Sequence, residues 1–258
     1  EISFDNFHDN NDKIYRLNIQ VTNPQTGAKT QRAIGPYRLA DELETDFPDM
    51  DHIIRFAPQS RESIDFEDET YLEENLTFVD PEVFEVFNFK LIKGDPLTAL
   101  QDPFSLVITE EVSKKYFNDA NGIGKTVKIR DQNFVVSGIM EEIPKNSRFN
   151  FDIMVSMNSA KQVFSRIVLE NWGEGYVETY AMLSNEMKPA NFKDRLAKFV
   201  GIKLEAWKQA SPELIMQPLS DVYLKSDDIR SYQAGGDIIY VYSFSFIALF
   251  ILIIACIN

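Results

Sequence analysis

The segment KIYRLNIQV, residues 13–21, alternates two sets of side chains. Tyr15, Leu17, Ile19 and Val21 form an apolar set; Ile14, Arg16, Asn18 and Gln20 form the other. A period of two marks a strand whose successive side chains point to opposite faces, so the first set is expected to face a core. Asn23-Pro24-Gln25-Thr26-Gly27 then supplies turn chemistry. Gly35-Pro36 opens a helix, because the fixed φ of proline suits a first turn. Tyr37, Ala40, Leu43 and Phe47 recur at spacings of three, three and four along one face of that helix, which Pro48 ends. Ile53, Ile54 and Phe56, within residues 51–57, give a second strand and complete a strand-helix-strand unit.

A comparable unit lies far along the chain. Residues 176–183 (YVETYAML) read as a strand, Asn191 caps a helix through residue 209, and residues 213–224 return as strand and turn. Phe192, Leu196, Phe199, Val200, Leu204 and Trp207 form the buried stripe of that helix, with Gly201 a weak point. Between the two units the grammar changes. Thr109 precedes Glu110 and Glu111, carboxylates that complement the start of a short helix, and residues 127–130 and 134–140 form a hairpin. The expected fold class is therefore α+β. It consists of one part split into residues 1–94 and 166–237, an inserted mixed α/β part at 95–165, and a terminal helix at 238–258.

The terminal helix differs in kind from what precedes it. Residues 238–257, IIYVYSFSFIALFILIIACI, carry no formal charge. About twenty apolar residues suffice to cross a hydrocarbon core of roughly 30 Å, so Ile238, Phe250 and Ile257 are expected within a membrane span. The paired Gly235-Gly236 before it, with Asp237, are the most permissive backbone nearby and read as a coupling hinge. Lys and Arg number 26 against 40 Asp and Glu, a net charge of −14. Such a surface repels nucleic acid phosphates, and no nucleic acid partner is expected.

No catalytic, cofactor or metal site is expected either. Gly124-Lys125-Thr126 suggests a phosphate loop, but Asp119 stands where that motif needs glycine and a strand follows instead of a helix. His8 and His52 are the only histidines and have no partner at zinc-ligand spacing. His8, near Asp5, Asp9 and Asp12, reads as a solvated helix start beside the membrane. Cys256 is the single cysteine. It lies in the apolar run, so residues 1–237 form no disulfide. The carboxylate pairs, such as Glu73 and Glu74 or Glu141 and Glu142, read as solvated faces, and Phe78, Phe84, Phe87 and Phe89 as core.

In order and spacing the segments resemble the periplasmic core domain of MacB-like, FtsX-like ABC transporter permeases, especially the Bacteroidetes-type form. The matching stretches are ISFDNFHDNNDKIYRL (2–17), GPYRLADELETDFPDM (35–50), FVDPEVFEVFNFKLIKGDP (78–96), SLVITEEVSKKYF (105–117), GIGKTVKI (122–129), GIMEEIPKNSRFNFDI (138–153) and PLSDVYLKS (218–226). The resemblance implies a porter part built of two βαβ-like units and an inserted sabre-like part. It also implies a bacterial inner membrane location with residues 1–237 in the periplasm. The implied partners are a cytosolic ABC ATPase subunit that hydrolyses the ATP, a second permease copy, and in some relatives a periplasmic adaptor and outer-membrane channel. Motion driven by the ATPase would pass through helices at about 2–11 and 229–242 to serve export or extraction of a drug, peptide or lipoprotein. A periplasmic ligand-sensing domain of a membrane signalling receptor is the alternative; it would show the same acidic mixed α/β segment before a span.

Overall fold

The strand read first in the sequence sits at the centre of an antiparallel sheet. In the computed structural model, which describes residues 4–119, 121–203, 212–233, 235–236 and 238–257, β1 (Ile14–Thr22) has β14 (Glu213–Pro218) on one edge and β13 (Val177–Met182) on the other. β13 in turn pairs with β4 (His52–Gln59), giving the order β14-β1-β13-β4 with every neighbour antiparallel. Helix α1 (Leu39–Asp46) connects β1 to β4, and α6 (Pro189–Lys203) connects β13 to β14. Each helix thus joins two strands that flank a third, the split βαβ arrangement.

One face of this sheet is dry. Leu17 and Ile19 of β1 meet Leu39, Ala40 and Leu43 of α1 and Phe192, Leu196, Phe199 and Val200 of α6. Phe47 closes the cluster with its ring edge-on to Phe192, centroids 5.3 Å apart. The helix runs through Gly201 to Lys203; Leu204 and Trp207 of the expected stripe lie outside the described residues. Short strands extend the margins: β2 (Lys29–Arg32) continues along β1, and β3 (Ile34–Gly35) pairs with β13.

The second run of strands leaves from the far end of β4. β7 (Leu76–Val79) pairs antiparallel with β4 from Phe56 to Gln59. Beyond it follow β12 (Ile153–Ser156), β9 (Ser105–Thr109), β11 (Gln132–Met140), β10 (Thr126–Ile129), β5 (Glu62–Phe66) and β6 (Glu69–Glu73), with β8 (Leu91–Lys93) also on β11. Ile64, Phe78, Leu106, Ile108, Val127, Phe134 and Val155 supply its core, on which α3 (Glu110–Phe117) lays Val112 and Tyr116. Thr109 Oγ1 accepts from Val112 N at 3.3 Å, capping α3 as the sequence indicates. The hairpin is tighter than read: Arg130 and Asp131 alone turn it, with φ of 48° and 64°. Two central residues in the left-handed region make the turn whose twist matches a two-residue hairpin.

The division drawn at 94/95 therefore falls inside this second run. β5, β6 and β7 precede it in sequence yet pair with β10, with each other and with β12, so the strands inserted between β4 and β13 begin at residue 62. Smaller helices complete the chain: α2 (Val83–Val86), α4 (Ala160–Val163), α5 (Arg166–Glu170) and α7 (Leu219–Val222). A two-residue strand β15 (Ile229–Arg230) pairs parallel with β2, and α8 (Ile238–Ile257) is the last element.

Two segments expected to be helical are not. Described residues 4–13 form turns, and the described residues of 229–236 form β15 and irregular chain, so the described helix begins at Ile238. Neither segment has the apolar spacing of a helix, and each is held by side-chain hydrogen bonds to the domain. Among the described residues no helix is long and apolar enough to cross a membrane. The side chains of residues 240 and 245 are outside that description; elsewhere in α8 Ile238 and Val241 are half-buried, and Ile239, Phe244 and Phe250 are exposed.

Candidate functional site

The second face of β1, polar in sequence, is buried. Arg16 and Asn18 are fully covered and Gln20 is 7% exposed. Alternation along a strand separates two environments without saying which is wet. Here the second face is covered by the chain before β1, by residues near 148 and by residues after β14. Ile14 joins Ile54, Phe56, Phe87, Phe149, Phe151 and Tyr180 in a second apolar cluster, and next to it the polar residues form a connected set.

Arg16 stands across from Gln217 on β14 and from Tyr180 on β13. Its Nη2 donates to Gln217 Oε1 at 2.7 Å and to Ser226 Oγ at 2.9 Å. Asn18 Nδ2 donates to the same Gln217 oxygen at 2.8 Å, and Gln217 Nε2 donates to the Lys225 carbonyl at 2.9 Å. Two residues along β13, Glu178 accepts from Arg148 Nη2 on both oxygens at 2.9 and 2.8 Å and from the Tyr180 hydroxyl at 3.2 Å, and forms an ion pair with Arg16 Nη1 at 3.8 Å. Burial alone would raise the Glu178 carboxyl; Arg148 and Arg16 outweigh it and hold the pKa below the ordinary value.

Both ends of the domain dock on this set. On the upstream side, Asp5 accepts from Ser147 Oγ at 2.6 Å and from the Arg148 amide at 3.0 Å. On the downstream side the Tyr232 amide donates to Glu178 Oε1 at 3.1 Å and the Tyr232 hydroxyl donates to the Tyr176 carbonyl at 2.9 Å. Tyr223, just past α7, lies between the two ends: the Phe4 ring stacks on it, and Gly235 and Gly236 pass against it.

Those glycines have a steric reason. A Cβ on Gly235 would lie 2.5 Å from the Tyr223 carbonyl oxygen, and one on Gly236 would lie 2.7 Å from the Tyr223 ring. Neither takes a positive φ. Close approach to Tyr223, to its carbonyl at Gly235 and to its ring at Gly236, gives the pair a packing role, and Asp237, the third residue of the expected hinge, lies outside the described residues. Ile238 is half-buried at the start of α8, while Phe250 and Ile257 are exposed.

The other sequence candidates separate cleanly. His8 is not a solvated helix start: it is 2% exposed, its Nδ1 accepts from the Asn88 amide at 3.0 Å, and Phe87 and Phe89 present ring edges to it. Gly124-Lys125-Thr126 enters β10, a strand, with Gly124 at φ 80°. Among the described residues no group of His, Cys, Asp and Glu is placed to hold a metal ion. Glu73 is not a solvated carboxylate; it is 7% exposed and accepts from Lys115 at 2.6 Å and Tyr116 at 2.5 Å. Sequence reasoning missed Arg148, Glu178, Tyr223 and Tyr232. The one available signal was Arg16, a charge set inside a strand otherwise able to bury both faces.

The comparisons with known proteins follow this architecture. The family model for the MacB-like periplasmic core domain matches residues 3–199. A putative permease domain from Porphyromonas gingivalis has a similar structure, with a TM-score of 0.68 at 18% identity, covering 89% of this chain and 94% of that one. The periplasmic region of MacB from Actinobacillus actinomycetemcomitans gives 0.52 at 14% identity, covering 80% and 89%. The extracellular domain of the noncanonic ABC-type transporter YknZ from Gram-positive bacteria gives 0.51 at 11%, covering 78% and 99%. At such identities the structures establish the fold alone. A comparison with curated proteins finds no match. The family match sets aside the signalling receptor: the chain belongs to the MacB-like periplasmic core domain family of ABC transporter permeases.

Proposed function

We propose that the domain transmits ATPase-driven displacement of membrane helices to the periplasm, for export or extraction of a substrate. The observation that carries this reading is the convergence of both chain ends on Tyr223: Phe4 stacks on its ring while Gly235 packs against its carbonyl. A displacement arriving at either end would reach the other through one ring, and would reach the sheet through Asp5 and Tyr232. On this reading the domain has no catalytic site of its own. ATP hydrolysis belongs to the cytosolic subunit, and a second permease copy completes the assembly. An adaptor and an outer-membrane channel are further candidate partners.

The reading includes a membrane span over residues 238–257 in the inner membrane. Twenty uncharged residues at 1.5 Å each reach about 30 Å, the thickness of a hydrocarbon core. The exposure of Phe244, Phe246, Leu249 and Phe250 suits lipid contact. Spin-label distances between the two copies in the intact transporter, with and without ATP on a hydrolysis-deficient ATPase, test the mechanism. A change in separation on ATP binding is the expected result, and an unchanged distribution refutes transmission through this domain.

A further inference from the structure

The second run of strands ends at β6, and among the described residues no strand pairs with its outer edge. The turn Glu67-Asp68 makes Phe66 and Glu69 a hydrogen-bonded pair, and the register continues with Ile64 across from Tyr71 and Glu62 across from Glu73. In an antiparallel ladder bonded pairs alternate with pairs whose N–H and C=O groups turn away from the partner strand. Thr70 and Leu72 therefore present theirs to the open edge. Both residues are exposed, Leu72 by 55%.

An edge is usually guarded by lysine, proline or a bulge. β6 reads ETYLE, carries neither of those residues, and pairs with β5 without a register shift. What marks it is charge: residues 62–74 hold seven carboxylates and no basic residue. Arg130, Lys115 and Arg61 pair with Glu62, Glu73 and Glu74, and Lys128 stands across from Asp65. Glu67, Asp68 and Glu69 remain as the net charge of the edge, exposed at its turn end. This charge also selects the occupant. Two copies pairing about Tyr71 would set Glu69 across from Glu73 twice, like charges opposed, which disfavours self-pairing.

We propose that β6 takes on a further strand, an extended segment of a partner protein with β-branched residues opposite Thr70 and Leu72 and Lys or Arg facing Glu69 and the turn. Backbone bonds to Thr70 and Leu72 give affinity, and the acidic turn end gives the preference for a basic segment. β6 lies at the opposite end of the strand order from β15, which leads into Tyr232 and α8, so the edge is remote from the downstream chain. The site is independent of the transmission reading, since it requires only the open edge and its charge.

The peptide acetyl-RKVTVKR-amide, whose symmetry serves either strand direction, tests the proposal by calorimetric titration into the full chain in a nonionic detergent. Two controls accompany it. The same peptide N-methylated on both valines keeps the charge but loses those donors, and acetyl-EEVTVEE-amide keeps the backbone but reverses the charge. The basic peptide is expected to bind at least ten-fold tighter than either control and to slow hydrogen exchange at Thr70 and Leu72. Leu72→Pro removes an N–H that faces away from β5, where an edge strand tolerates proline, and weakens the peptide at least ten-fold. Should Leu72→Pro fail to fold by circular dichroism, the N-methylated control and the exchange rates decide without it. No binding of the basic peptide up to millimolar concentration, equal affinity for either control, unchanged exchange at Thr70 and Leu72, or unchanged affinity in folded Leu72→Pro overturns the proposal. Release of a dimer of the chain by the peptide would give the edge to a second copy and overturns it as well.

Discussion

The rings of Phe4 and Tyr223 lie face to face, centroids 3.4 Å apart and planes 4° from parallel. They are 219 positions apart in sequence, one upstream of the first strand and one after the last helix to pack on the sheet. This stack is a direct link between the two ends. A stacked aromatic pair contributes about 0.5–1.5 kcal/mol beyond the area it buries. In a double-mutant cycle of Phe4→Ala and Tyr223→Ala, the coupling energy is expected near 1 kcal/mol by urea denaturation. A coupling of zero would mean that the ends are held independently.

Gly235 and Gly236 separate close packing from a hinge by stability alone. A methyl group on Gly235 meets a backbone oxygen that has no room to move, whereas one on Gly236 meets a ring that is able to swing. Gly235→Ala is expected to cost about 1–3 kcal/mol, the usual range for overpacking, and Gly236→Ala less. A pure hinge predicts the reverse sign, because Ala at a compatible φ restricts the unfolded chain and stabilises by some tenths of a kcal/mol.

His8 makes the domain sensitive to acid. Burial lowers its pKa from 6.5 to about 4, although Asp9 pulls the other way. The folded state thus holds the neutral imidazole, while the unfolded chain takes up a proton near pH 6.5. The stabilisation is fully present above pH 6.5 and falls as pH drops toward 4, by about 3 kcal/mol in all. His8→Gln should flatten the pH dependence of thermal unfolding between pH 6.5 and 4. An unchanged slope would place the titration elsewhere.

Arg148 and Glu178 form a buried pair, so removing one member strands the other. Arg148→Met or Glu178→Gln is expected to cost about 3–5 kcal/mol. Arg148→Met combined with Glu178→Met should recover much of that loss, though Arg16 then lacks its nearby carboxylate. Unfolding midpoints of the singles and the double give the comparison, and strict additivity would argue against the pairing.

The split strand-helix-strand frame was legible because each of its pieces is periodic over a short range. Leu17, Ile19, Ala40, Leu43, Phe192 and Leu196 all lie where the spacing put them. Thr109 and the hairpin after Gly124 were likewise local signals. The buried polar set was not legible, because the chain that covers Arg16 comes from residues near 148 and from residues 217–232, and no spacing rule links such distant segments. The boundary at 94/95 rests on local patterns alone: β5 to β7 carry ordinary strand patterns, and only pairing with β10 and β12 shows which run they join.

β4 belongs to both runs of strands, meeting β13 through Phe56 and β7 from Phe56 onward. The ladder is unbroken across this residue, and Arg55 adds a clamp beside it, with Nη2 at 2.7 Å and Nε at 2.9 Å from the two Asp80 oxygens. Opening the two runs like a jaw would break the ladder bonds from Phe56 to Gln59, each about 1 kcal/mol net, and would also tear the Arg55–Asp80 fork. On the transmission reading this seam would act as a weld: a tilt imposed at Tyr223 would reappear at the far tip of β6 as a sweep in proportion to its distance.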